Sequence, residues 1–182
     1  MELGKILYVT NRKAWRSWLA KNHDKEKEIW LVYYKKNSGN KSIAYNDAVD
    51  EALCFGWIDS TIKKVDEESR AQRFTPRRKN SSWSEMNKER VRRLIKAGKM
   101  TKAGLNKVSV KLNEKFVVPE DILKGLKQDK IVWNNFNKFP LSYKRIRIGY
   151  LNDSRKRSDE FQKRLNYFIK MTKQNKQFGM VR

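Results

Sequence analysis

Cysteine and histidine each occur once in 182 residues. A single cysteine excludes a disulfide framework, and with one histidine no Cys/His cluster of metal-binding spacing can form. Acid is scarce as well, with 20 Asp+Glu against 43 Lys+Arg. No apolar run approaches the roughly 18 residues of a membrane-crossing helix. The start, MELGKILYVTNRKAW, lacks the apolar stretch of a secretory signal, so the cytoplasm is the expected compartment. No internal repeat, low-complexity linker or phosphate loop is present. The expectation is therefore a chain with no metal, no cofactor and no catalytic residue set.

What is present is charge and aromatic surface. The net charge is +23, and 12% of the residues are Phe, Trp or Tyr, enough with the aliphatic residues to build a core. The charge is uneven. Residues 1–60 hold 10 basic and 8 acidic side chains, whereas residues 61–182 hold 33 and 12. Such a field attracts anionic ligands and polyanions, nucleic acid among them, and its pull fades with salt. A composition bias toward solvated lysines would produce the same numbers.

The pattern along the chain alternates helix and strand early and reads as helix later. Thr10 is the expected N-cap of a helix over 11–22. IWLVYYK (29–35) is β-branched and aromatic, a buried strand, and NSGN (37–40) is a turn. Residues 45–55 form a helix ending at Gly56. Residues 58–65 and 70–75 pair as a hairpin around DEES (66–69), and Pro76 closes the second strand. Beyond it, helices are expected over about 84–97, 101–112, 119–126, 130–137, 141–151 and 159–173. The implied fold is α+β: a small antiparallel sheet packed by helices, residues 1–113, and a C-terminal helical module, residues 114–182.

The stretch ALCFGWIDS (52–60) concentrates reactive groups where a helix stops and a strand starts. Cys54 has no neighbouring base to activate it, and Asp59 and Ser60 have no paired histidine. On a helical wheel Trp83, Asn87 and Arg90 share a sector with Met86, Val91 and Leu94. An inward-facing Arg90 needs acceptors, since an unpaired buried charge costs several kcal/mol. Asp59 is its first expected partner and Glu51 its second.

EALCFGWIDS, RFTPRRKNSSWSEMNKERVRRLIKAGKMTKAG, WLVYYKKNSG and SIAYNDAV, with the tail from PEDILKGL onward, resemble the YdeI/OmpD-associated, or bacteriocin-protection, family. Where that family commonly shows a Thr-Arg pair near its last helix, this chain has Glu160 and Phe161. The resemblance implies a stress or antimicrobial-peptide tolerance protein. Its motifs, with the hairpin geometry, nominate Trp57, Asp59, Ser60, Arg73, Thr75, Arg77, Arg78, Trp83, Ser84, Asn87 and Arg90 as binding residues. With Ser60 across from Thr75 and Ile62 across from Arg73, within one residue of register, Arg77, Arg78 and the N-terminus of the Ser84 helix would gather at one end to accept an anion. Trp57 and Trp83 would wall that pocket, stack a base or simply fill the core. Two other readings stay open: nucleic-acid binding through the basic two-thirds, and an enzyme on a small anionic substrate using Asp59 and Arg90.

Overall fold

A computed structural model describes residues 3–179 and divides them into two units. One runs to Ser81 and adds Val91–Val110; the other comprises Ser82–Arg90 and the chain from Lys111 onward.

The first unit contains β1 (Ile6–Leu7), α1 (Arg12–Asn22), β2 (Ile29–Tyr34), a 3-10 turn (Lys36–Ser38), α2 (Tyr45–Cys54), β3 (Trp57–Lys64), β4 (Ser69–Pro76) and α4 (Lys102–Asn106). The sheet is four-stranded, ordered β1-β2-β4-β3. β3 and β4 form the expected hairpin, and β2 runs antiparallel to β4. The sheet is mixed rather than purely antiparallel, because the two-residue β1 runs parallel to β2 along its free edge. The Asp66 side chain builds the hairpin turn by accepting from the backbone N–H of Glu68 and Ser69, each at 2.8 Å. A register shift between Asp59 and Ile62 sets Ile58 across from Thr75 and Ile62 across from Gln72, so Ser60 does not oppose Thr75.

The helix start also differs from expectation. Asn11, not Thr10, caps α1, its side chain accepting from the Ala14 N–H at 2.9 Å. Trp15 and Leu19 of α1, Ala48, Val49 and Ala52 of α2, and Ile29, Leu31 and Phe74 of the sheet are all fully buried or nearly so. Trp15 meets Phe74 edge-on at 5.4 Å and donates its indole N–H to the Ala48 carbonyl at 2.9 Å. This contact locks both helices to one face of the sheet. α4 is shorter than the 101–112 segment expected from the sequence. Thr101 caps it from outside, its side chain accepting from the Gly104 N–H, and it ends at Asn106, before the poorly helical Val108, Ser109 and Val110.

α3 (Glu85–Lys96) begins in the second unit and ends in the first. The second unit continues with α5 (Glu120–Lys127), α6 (Lys130–Lys138), α7 (Leu141–Asn152) and α8 (Ser158–Lys173). Pro119 and Pro140 precede α5 and α7, and the Asp129 carboxylate caps α6 through the N–H groups of Ile131 and Val132. These helices enclose a core of Ile122, Leu126, Val132, Phe136, Tyr143, Leu165 and Phe168 with their aliphatic neighbours. No helix of the described residues is long and apolar enough to cross a membrane.

Candidate binding cleft

The corner read from CFGWIDS is built by close backbone approach. α2 ends at Cys54, and Gly56 takes φ +75°, a conformation that strains any residue with a Cβ. α4 then seats on that end. The Thr101 hydroxyl and N–H both donate to the Cys54 carbonyl, at 2.6 and 3.0 Å. At Gly104 a Cβ would stand 2.7 Å from the Cys54 carbonyl carbon, so glycine is what allows the approach.

This joint disposes of the reactive groups. Cys54 is fully buried, and burial, reinforced by the Glu51 charge, pushes its thiol up to about 11. It stays protonated and is no nucleophile. Asp59 accepts from the Tyr45 hydroxyl at 2.7 Å. Glu51 is held by Arg12 and, at 2.6 Å, by Arg16. Both carboxylates thus have partners inside the first unit: Tyr45 reaches Asp59 from α2, and α1 supplies both arginines to Glu51. Arg90 itself is buried, as the wheel implies.

Beside the corner, a cleft of about 850 Å³ opens between the loop after α1, the ends of β3 and β4, and α4. Trp57, Arg73, Thr75 and Arg78 of the nominated residues line it. Trp57 does so as a core residue. It is 1% exposed, donates its indole N–H to the His23 carbonyl at 3.0 Å and meets Trp18 edge-on at 5.9 Å, leaving no free face to stack a base. Arg73 is held by Glu28, through Nε at 2.9 Å and also through Nη2, and it keeps the Glu28 carboxyl below the usual range. Arg77 is buried outside the lining. Burial pushes its pKa down, against the opposing pull of the Asp59 charge. The expected trio of arginines thus dissolves: of Arg73, Arg77 and Arg78, only Arg78 is both exposed and in the cleft.

Ser60 is exposed at the register shift, where its carbonyl accepts from Gln72 at 2.8 Å, and it does not line the cleft. Trp83, Ser84, Asn87 and Arg90 belong to the second unit, where the Ser84 hydroxyl accepts from the Asn87 N–H at 3.3 Å at the start of α3. The cleft instead gains Lys25 and Lys27 from the loop after α1, and Asn106 and Lys107 from the end of α4. The sequence signal for the first pair is weak, since KNHDKEKE mixes both charges. Its place follows only from the pairing of Ile29 with Phe74, which draws that loop to the end of β4.

Residues 7–107, more than half of the chain, match the family model described as a domain of unknown function, DUF8412. The chain belongs to that family. Residues 115–175 match a second model, described as Bacteriocin-protection, YdeI or OmpD-Associated, so the α5–α8 region carries the module that the sequence from PEDILKGL resembles. CFGWIDS and RFTPRR lie within the first match. No curated protein and no solved structure matches the chain.

Proposed function

We propose that the protein is a non-catalytic binding protein whose first unit takes an anionic ligand in the cleft beside the Gly56 corner. One observation carries the reading. Lys25, Lys27, Arg78 and Lys107 all line the cleft, all are exposed, and none has an ion-pair partner among the described residues. The acids there are Asp24 and Glu26, and Glu26 is held by Lys5. A concave wall with surplus cations concentrates field and raises the local concentration of anions. Thr75 and Asn106 add uncharged hydrogen-bonding groups.

The absence of catalysis in this reading follows from how the reactive groups are used. The Cys54 thiol is buried and protonated, and the Asp59 carboxylate is held by Tyr45. The protective role in the description of the C-terminal module would then act on an anionic target. A chain of +23 repels cationic peptides rather than capturing them.

The test is thermal unfolding with inorganic phosphate against chloride at equal ionic strength. Phosphate at ten times its Kd should raise the Tm by about 3–6 °C. The double variant Arg78→Ala/Lys107→Ala should fold and lose most of that increment. Equal protection of both proteins would remove the cleft from the account. The 33 basic residues beyond position 60 favour a second reading, nucleic-acid binding. It requires steeply salt-dependent affinity for an oligonucleotide that the double variant leaves largely intact.

A further inference from the structure

The second unit contains a buried arginine to which none of the described residues offers a carboxylate. Arg147, on α7, is 6% exposed, and its Nε is buried without a hydrogen-bond partner. No ion pair to it occurs among the described residues. Its guanidinium carbon lies 5.0 Å from the ring centre of Phe178, 5.3 Å from that of Tyr150 and 5.9 Å from that of Tyr143. The backbone of Gly179 presses on the same group, where a Cβ would stand 2.6 Å from Nη1. Ring faces attract a cation but accept none of its in-plane N–H bonds. The buried Nε therefore keeps an unmet hydrogen-bonding need. Burial accordingly pushes the Arg147 pKa down.

Arg147 also borders an open groove of about 580 Å³, within the size range of small-molecule sites. Met86, Leu151, Phe168 and Phe178 give it an apolar wall. Of its charged groups, Glu160 is already held by Arg164 at 2.7 Å, and that guanidinium lies 3.9 Å over the Tyr150 ring. Arg147 and Lys163 remain as cations without an ion pair among the described residues, Lys163 feeling only the longer-range pull of Glu160. A guanidinium fork of this kind pairs best with a planar two-oxygen anion.

We propose that this groove binds an amphipathic carboxylate, a small molecule whose carboxylate pairs with Arg147 while its hydrocarbon lies on Leu151, Phe168 and Phe178. The site is separate from the cleft of the first unit and does not depend on it.

Calorimetric titration of the full chain with octanoate, 1-octanol and octylammonium tests the idea. Octanoate should bind roughly ten- to a hundredfold more tightly than the other two, the range expected for hydrogen bonds to a charged group. Arg147→Met, which keeps the bulk and removes the fork, should bring octanoate down to the level of octanol and leave octanol unchanged. The Arg78→Ala/Lys107→Ala protein should bind octanoate like the wild type. Three results would each overturn the proposal: no octanoate binding, equal affinity for octanoate and octanol, or loss of octanoate binding in the double variant. If Arg147→Met does not fold, the Arg147 Nε–Hε resonance of the wild-type protein decides. It should shift on adding octanoate and not on adding octanol, and an unmoved resonance rejects the site.

Discussion

In the first unit, four partly exposed arginines meet carboxylates: Arg12 and Arg16 share Glu51, Arg93 meets Asp50 at 2.6 Å, and Arg73 meets Glu28. In the second unit rings are added to the acids, and at Arg147 rings stand without a carboxylate among the described residues. Arg147 sits among Tyr143, Tyr150 and Phe178, while Arg145, Arg155 and Arg164 add Phe116, Phe161 and Tyr150 to their acidic partners. The difference follows from supply. Acid nearly balances base over residues 1–60, and α2 alone brings Asp47, Asp50 and Glu51. Beyond residue 60 base exceeds acid by 33 to 12, and aromatic faces serve as the remaining acceptors. An ion pair neutralises the charge of a guanidinium and engages some of its donors, whereas a ring leaves its in-plane donors unmatched. That is why the ring-lined arginine, and not the acid-paired ones, is the place to look for a ligand.

The sharpest test of the contrast is to remove one buried charge from each unit. Glu51 is 2% exposed and holds two arginines. Breaking a buried pair typically costs 3–5 kcal/mol, but the Arg12 and Arg16 side chains, 32% and 39% exposed, can turn to water. Glu51→Ala should therefore lose about 2–3 kcal/mol in urea denaturation. Arg147→Met should stay within about 1 kcal/mol of the wild type or exceed it, because a well-packed apolar side chain replaces a poorly compensated charge. Equal losses would mean that the rings satisfy arginine as fully as acid does.

How far the sequence reached can be read from these same residues. Elements with strong local signals were legible: the β-branched run 29–34, the hairpin around Asp66, the capped helices after Pro119. β1 was not, because two residues carry no period and exist as a strand only through β2. The inward face of α3 was legible from its wheel, but not the company of the acids nearby. Tyr45, Arg12 and Arg16 reach Asp59 and Glu51 through tertiary packing that no spacing encodes. Of the cleft, Trp57, Arg73, Thr75 and Arg78 came from the motifs, while Lys25, Lys27 and Lys107 arrive from segments far apart in the chain. Arg147 was not legible, since the rings of its own helix, Tyr143 and Tyr150, enclose it only together with Phe178 from beyond α8.

A second contrast concerns how the first unit closes its corner. Gly104→Ala would push a Cβ against the Cys54 carbonyl, forcing α4 outward and stretching both Thr101 hydrogen bonds. Overpacking of this kind costs about 1–3 kcal/mol. Because Lys107 rides on the end of α4, the same change should weaken phosphate protection in the cleft while octanoate binding in the second unit stays as it was. Parallel loss of both activities would show that the units do not respond independently.

The smallest expected effect lies at the surface, where the two units behave alike. The Arg73 hydrogen bond holds the Glu28 carboxyl below its ordinary range, and the Arg155 fork, at 2.8 and 2.9 Å, does the same for Asp121. A carboxyl whose pKa is lowered on folding binds fewer protons in the folded state. Its contribution is present above the ordinary carboxylate pKa and disappears as the pH falls through the lowered one. Asp121 and Arg155 are nearly half exposed, so the pair should contribute less than about 1 kcal/mol. Asp121→Asn should therefore be slightly less stable than the wild type near pH 7, and the gap should close as the pH drops through the acid limb to about pH 2. A gap that persists unchanged in acid would mean that the residue acts through the α5 terminus or its packing, and not through the charge it shares with Arg155.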